Sequence, residues 1–363
     1  MALKVGLVGL PNVGKSTLFN AVSQAGAQTA NFPFCTIDPN VGVVAVPDRR
    51  LERLGELAAS AKVVPTAIEF VDIAGLVEGA SRGEGLGNQF LAHIREVDAI
   101  CHVVRCFEDS DVVHVAGSID PARDVEVIST ELVLADLDTL ERRVERAGRA
   151  AKSGDKDLVR EAEQVTALRD HLALGEPART FTGELDPALR RELSLLTFKP
   201  VLYAANVAEH ELPHGNEHVE LVTKIAAEEG AEVVVVSAQV EAELAELEGD
   251  ERAEYLTELG LERSGLERLI ERAYQLLGLV TFFTAGPTES RAWTVPRGSR
   301  APRAAREIHS DMERGFIRAE VITFEDYDQL GSEAAARDAG RLRVEGKDYV
   351  VVDGDVMHFR FNV

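Results

Sequence analysis

Residues 9–16 read Gly9-Leu10-Pro11-Asn12-Val13-Gly14-Lys15-Ser16, the spacing G-x-x-x-x-G-K-[ST], and each residue type in it suits the binding of phosphate. Gly9 and Gly14 let the backbone curl until its N–H groups point at phosphate oxygens. Lys15 offers a point charge to β- and γ-phosphates, and the Ser16 hydroxyl is a candidate ligand for Mg²⁺. Asn12, Val13, Gly14, Lys15, Ser16 and Thr17 are the expected nucleotide contacts of this loop. The flanks agree with that chemistry. Val5, Leu7 and Val8 predict a short buried strand, and Leu18, Phe19, Ala21 and Val22 continue as a helix whose first amides would face the phosphates.

A phosphate loop after the first strand implies a doubly wound parallel sheet, in which further functional residues lie just beyond the C-terminal ends of other strands. The run Ala67-Ile68-Glu69-Phe70-Val71 leads into Asp72-Ile73-Ala74-Gly75, the D-x-x-G pattern that follows the third strand of GTPase-type domains. Asp72 would hold Mg²⁺ through water, and Gly75 would offer its N–H to the γ-phosphate, coupling nucleotide state to the glycine-rich residues 77–87. Upstream, prolines in Asn31-Phe32-Pro33-Phe34-Cys35-Thr36-Ile37-Asp38-Pro39 forbid a helix, and Thr36 is the candidate to complete the Mg²⁺ shell.

Base choice is written at the end of another strand, Val201-Leu202-Tyr203-Ala204-Ala205, which runs into Asn206-Val207-Ala208-Glu209. A guanine site normally carries N-K-x-D here. Glu209 is one methylene longer than that aspartate, and Val207 lacks the lysine stem that packs along the base. An Asn206 amide could instead accept from adenine N6–H and donate to N7, which predicts adenine preference; capping a turn is the plainer use of such an asparagine. Ser237, after residues 233–236, sits where a loop would close over the base.

The 363 residues carry a net charge of −23, which argues against general nucleic-acid affinity and leaves room for a local basic face. No stretch approaches the ~20 apolar residues of a membrane helix, and no leader precedes the first strand, so a soluble cytoplasmic protein is expected. Cys35, Cys101 and Cys106 have neither metal-ligand spacing nor an even count and read as small buried hydrophobes.

Taken together, these residues resemble the YchF or Obg-like ATPases, in the translation-factor class of P-loop GTPases, over essentially the whole chain. The marks are Asn31-Phe32-Pro33-Phe34-Cys35-Thr36, Asp72-Ile73-Ala74-Gly75-Leu76-Val77, Gly83-Glu84-Gly85-Leu86-Gly87-Asn88, the N-x-x-E junction, and the tail Gly354-Asp355-Val356-Met357 through Phe361-Asn362-Val363. The resemblance implies ATP preferred over GTP, weak intrinsic hydrolysis and association with ribosomes. Many relatives place a water-orienting glutamine after D-x-x-G, where this chain has Leu76, which cannot do that work. His114, in an acid-rich segment after the fourth strand, is the internal candidate to orient water; the resemblance points to the same histidine, and a plain surface histidine is the alternative. Asn12 resembles the arrangement of potassium-stimulated relatives, so K⁺ is a further candidate cofactor.

The expected architecture is an α/β P-loop nucleotide-binding domain over residues 1–280, interrupted at 125–195 by an antiparallel helical hairpin, followed by a β-grasp domain of the TGS type over 281–363. Val133, Leu137, Leu140 and Val144 form one apolar stripe; Leu158, Ala162, Val165 and Leu172 form a second; Lys152-Ser153-Gly154-Asp155 breaks the pattern between them. Residues 241–258 read as an exposed, acidic helical excursion and 266–277 as a closing helix. In the C-terminal part, strands are expected at 292–295, 317–324 and 349–352, flanking a helical pattern near 303–312.

Arg291, Arg297, Arg300, Arg303, Arg306, Arg314 and Arg318 face only Glu307, Asp311 and Glu313 in that window, a local charge of roughly +4. With Trp293 or Phe316 available for stacking, this is the candidate rRNA face; pairing of the arginines with the acidic nucleotide domain is the alternative. The leading reading is a monomeric ribosome-associated ATPase, converting ATP to ADP and phosphate as a nucleotide-dependent switch in translation or stress regulation, with no DNA or membrane partner. An RNA-binding adaptor with a structural nucleotide, and a GTPase whose Glu209 still reaches guanine, are the competing readings.

Overall fold

The computed structural model describes residues 3–28, 40–74, 86–109 and 118–362. Two compact units divide the chain: Met1–Val44 with Glu69–Leu269, and Ala45–Ile68 with Ile270–Val363.

The first unit is built on a six-stranded sheet. Its strands are β1 (Lys4–Val8), β2 (Val41–Ala45), β4 (Ala67–Asp72), β5 (Ala99–Arg105), β6 (Val201–Asn206) and β7 (Glu232–Val236), in the spatial order β2-β4-β1-β5-β6-β7. β1 runs parallel to both β4 and β5, with Leu7 opposite Asp72 on one side and Cys101 on the other. The sheet grows outward in both directions from β1, so the loop after β1 opens at a topological switch point. Every residue of β5 and β6 is buried, as expected of parallel strands covered on both faces. Helix α1 (Lys15–Gln28) follows the phosphate loop, and helix α3 (Leu86–Glu96) adds Phe90, Leu91 and Ile94 to the core beneath Val8 and Ile73.

Helices α4 (Pro121–Ala151) and α5 (Lys156–Ala173) form the expected hairpin, turning at residues 152–155 with Gly154 in the left-handed region. Asp120 and Asp155 cap the two N-termini by accepting backbone N–H groups. Val133, Leu140, Leu168 and Leu172 fill one hairpin core, and Ala147 and Val165 fill another with Leu189. The hairpin begins later than 125: Val125, Ile128 and Leu132 lie in the sheet core, so the first turns of α4 belong to the nucleotide fold. Buried Asp136 ties down the returning chain, accepting from the Leu196 N–H (2.8 Å), the Thr197 N–H (2.8 Å) and the Thr197 hydroxyl (2.7 Å). Burial pushes its carboxyl above the usual range, against the pull of those bonds.

The acidic stretch is helical as expected but not merely exposed. It forms two helices, Ala238–Glu246 and Gly249–Glu258, joined by a buried cluster of Val240, Leu244 and Leu256. Glu241 is itself buried and accepts the Gly265 N–H at 2.7 Å, at the start of the expected closing helix, Gly265–Leu276.

The second unit carries a six-stranded mixed sheet. Its strands are β3 (Val63–Val64), β8 (Leu279–Thr284), β9 (Ser290–Pro296), β10 (Phe316–Thr323), β11 (Arg343–Glu345) and β12 (Asp355–Phe361), in the order β11-β10-β12-β8-β9-β3. β8 and β9 form an antiparallel hairpin, and β12 runs parallel to β8 and antiparallel to β10. The helix Ala301–Ile308 packs on one face through buried Ala301, Ala304 and Ala305, with Ile308 partly buried beside them. The expected strand at 349–352 is reduced to a single bridge between Arg300 and Val350; the strand lies further on, in β12.

Residues 45–68 also depart from the expected span of 1–280. β3 adds to β9, and Leu51 and Leu54 of helix α2 (Arg49–Leu57) join a core with Phe283, Ile322 and Tyr327. Arg50 bridges to Asp353 (2.7 Å) and Arg53 to Asp328 (2.7 Å) within the same unit.

Candidate nucleotide site

The loop from β1 to α1 has the backbone geometry that its glycines suggested. Gly14 has φ of 90°, and a Cβ there would fall on the Asn206 amide. A Cβ at Gly9 would meet the Val103 carbonyl at 2.8 Å and the Val13 side chain at 2.9 Å. Asn12 also sits in the left-handed region, with φ of 64°. Val13 is buried, whereas Ser16 and Thr17 are exposed on the first turn of α1.

Lys15 is largely buried, and its Nζ forms an ion pair with Asp72 Oδ1 at the end of β4. The two groups assigned to phosphate and to Mg²⁺ are therefore adjacent. With the Ser16 hydroxyl one residue on, they offer hard oxygen ligands beside a fixed positive charge, a donor set suited to Mg²⁺ bridging a triphosphate. Thr36, Gly75 and His114 lie outside the described residues, as do residues 31–35 and 83–85 of the resemblance marks and Cys35.

Asn206 makes a bridge within the protein. Its side chain is 3% exposed; Nδ2 donates to the Val13 carbonyl at 2.9 Å, and Oδ1 accepts the Ala238 N–H at 2.8 Å. The amide thus fastens the phosphate loop to the segment after β7, with one Nδ2 proton and one Oδ1 lone pair left over. Neither partner is near in sequence, so nothing in the local pattern could reveal the bridge. Ser237 is buried at the start of the helix Ala238–Glu246.

Val207 belongs to the sheet core, its N–H bonded to the Val236 carbonyl at 2.9 Å. Glu209 is exposed. Its Oε1 lies 3.5 Å from the Tyr255 hydroxyl, whose proton goes to Glu243 at 2.5 Å. Burial and those carboxylates hold the Tyr255 phenol well above its usual range.

Two further groups shape the ends of the strands. Arg105, 1% exposed, stacks 4.5 Å from the Phe107 ring centre and donates to the Phe107 and Asp109 carbonyls at 3.2 and 3.3 Å, fixing the turn after β5. Its position at a strand end was the only sequence signal for this role. Cys101 and Cys106 are free and buried as expected, both thiols pushed up to about 12 by burial.

In the second unit, the arginine-rich window is not a free basic face. Arg291, Arg300 and Arg303 pair with Glu289, Asp348 and Glu307; Arg306, Arg314 and Arg318 pair with Glu313, Asp311 and Glu320. Phe316 is buried in the core and cannot stack on a base, while Trp293 lies 4.3 Å beneath the Arg291 guanidinium.

Comparison with known proteins agrees with this geometry. A family described as 50S ribosome-binding GTPase matches residues 4–137, and the YchF-GTPase_C family, described as a protein of unknown function, matches 279–362. The ribosome-binding ATPase YchF of Bacillus subtilis is 58% identical over 367 residues, and that of Escherichia coli O157:H7 is 54% identical over 364, each covering 100% of both chains. The structure of the Schizosaccharomyces pombe YchF GTPase superposes with a TM-score of 0.88 at 36% identity, covering 99% of this chain and 97% of that one. Its two matched segments, its full-length relatives and its fold agree: the chain belongs to the YchF family.

Proposed function

We propose that this protein is a Mg²⁺-dependent ATPase that binds ribosomes and hydrolyses ATP to ADP and phosphate in preference to GTP, with slow intrinsic turnover. The observation that carries the reading is the union of Gly14, Lys15, Asp72 and Asn206 at the switch point of the sheet. Lys15 would exchange Asp72 for the β- and γ-phosphates when nucleotide binds, freeing the carboxylate for the metal's water shell; Ser16 would ligate the metal directly. Mg²⁺ would supply neutralisation of the triphosphate charge.

Adenine preference rests here on what guanine lacks rather than on Asn206. Val207 gives no lysine stem, and the Glu209 carboxylate lies against Tyr255 beside a second acid. Slow turnover follows from Leu76, with His114 as the group proposed to orient water and Thr36 and Gly75 as proposed contacts of the metal and γ-phosphate. Loss of activity in His114→Ala, basal or ribosome-stimulated, supports that role; unchanged turnover in both removes it. A K⁺ ion near Asn12 is tested by turnover in K⁺ against Na⁺.

Ribosome binding is supported by the names of the full-length bacterial relatives, and a ribosomal partner puts the protein in the cytoplasm. The C-terminal unit, read as a TGS-type β-grasp, is the proposed rRNA contact. Its exposed ion pairs are worth about 0–1 kcal/mol each, little enough for a phosphate backbone to displace the acids. Charge reversal at Arg297, Arg300 and Arg303 should weaken ribosome co-sedimentation and flatten its salt dependence; unchanged binding rejects this contact. Mg²⁺-dependent turnover measured with Ser16→Ala and Asp72→Asn tests the whole reading: the ATPase predicts loss in both, and an adaptor with a structural nucleotide predicts no turnover in the wild type.

A further inference from the structure

The base loop is braced from behind by two residues that no motif singles out. Glu211 closes the short 3₁₀ turn Glu209–Glu211, its Oε2 accepting the Ala208 N–H at 2.9 Å. Its other oxygen, Oε1, accepts from Asn216 Nδ2 at 2.6 Å, and the same Nδ2 donates to the Cys106 carbonyl at 2.6 Å. Asn216 Oδ1 caps the helix Glu217–Glu229, accepting the His218 and Val219 N–H groups at 3.0 and 3.1 Å. Both amide protons and both lone pairs of Asn216 are engaged, which fixes its orientation. A second link runs beside it, the Cys106 N–H bonding to the Asn206 carbonyl at 2.8 Å.

We propose that Glu211 and Asn216 are positioning residues for nucleotide selectivity, holding residues 207–209 at a set height against the end of β5. The inference rests on the nucleotide-binding reading above and adds to it a cause of base choice outside the N-x-x-E run. The bracket touches neither the phosphate loop nor the Lys15–Asp72 pair. Phosphate contacts are common to ATP and GTP and cancel in the ratio of their affinities. A shift of the base loop does not cancel.

The chemistry of the bracket provides a clean perturbation. Asn216→Asp keeps the helix cap, since aspartate caps as well as asparagine, but turns the donor facing Glu211 and Cys106 into an acceptor. Glu211→Gln makes the converse change. The double variant restores one donor to the pair: the amide N–H introduced at position 211 donates to the carboxylate introduced at position 216, and the amide carbonyl at 211 can still accept the Ala208 N–H.

The test measures Mg·ATP and Mg·GTP affinities by calorimetry on the full chain, with thermal unfolding as a control. Each single variant should change the ATP-to-GTP affinity ratio at least about threefold, and the double variant should return it to within about twofold of wild type. Asn216→Ser, which caps the helix without adding charge, replaces Asn216→Asp if that variant does not fold, and should shift the ratio in the same sense. A ratio unchanged in the folded single variants, or a double variant no nearer wild type than the worse single one, overturns the proposal. Wild-type preference for GTP would instead overturn the ATP assignment, leaving the shift between variants to decide the role of the pair.

Discussion

Asn206→Ala separates the bridge seen here from a base contact, because the two roles predict different losses. The bridge holds two buried backbone groups, the Val13 carbonyl and the Ala238 N–H, and truncation leaves both without that partner. Each such group costs about 1–3 kcal/mol when unsatisfied, and water entering the space returns part of it, so a net loss of about 2–4 kcal/mol is expected. Urea unfolding followed by circular dichroism at 222 nm, without nucleotide, reads this directly. Hydrogen exchange of the segment around Ala238 should rise in parallel. A loss below about 0.5 kcal/mol, with the Ala238 amide as protected as in wild type, would refute the bridge. A variant stable without nucleotide but defective in ATP binding would return Asn206 to the base.

Two further outcomes concern buried polar groups, and a third concerns the phosphate loop. His102, 4% exposed and 5.5 Å from the Tyr203 ring, has its pKa lowered to about 3, chiefly by burial and also by Arg179. The unfolded chain takes up this proton below ~6.5 while the folded chain refuses it until about 3. Stability should therefore fall as pH drops through that window, by about 1.4 kcal/mol per unit for this one group. His102→Gln should flatten the slope between pH 6 and 5 by about one proton, and an equal slope in both proteins would contradict the assignment. Asp136→Asn puts an amide donor against the N–H and O–H groups of Thr197 and should cost about 2 kcal/mol in thermal unfolding, after allowing for the desolvation the carboxylate no longer suffers; an unchanged midpoint would remove the clamp. Gly14→Ala must place its Cβ on the Asn206 amide at φ of 90°, so it should abolish ATP binding, and wild-type affinity would mean the loop has another conformation.

What could be read from sequence is what depends on short spacings. Gly9, Gly14, Lys15 and Ser16 specify a local backbone path, and the stripes at Val133, Leu140, Val165 and Leu172 specify two helix faces, so the phosphate loop and hairpin stand where their residues indicated. Asn206 stands out in the sequence for its place at a strand end, but its bridge depends on Val13 and Ala238, reached only through the packing of the sheet. β3 has two residues and no periodicity to announce that it pairs with β9. The strand expected at 349–352 rests on Tyr349, Val350, Val351 and Val352, whereas β12 carries the alternation of a half-buried strand, Met357 and Phe359 buried between exposed His358 and Arg360. The arginine excess shrinks from about four to about one because Glu289, Asp348 and Glu320, outside the acids counted in the window, pair with Arg291, Arg300 and Arg318. Glu211 and Asn216 carried only weak signals, a turn acid and a helix cap, and neither suggests that one amide joins them.

The measurement that bears most directly on the proposed ATPase is calorimetry of Mg·ATP and Mg·GTP binding to the purified wild-type protein. At least tenfold tighter binding of ATP, about 1.4 kcal/mol, is the predicted result. Equal or tighter binding of GTP would contradict it, and would mean that Glu209 leaves Tyr255 to reach the base.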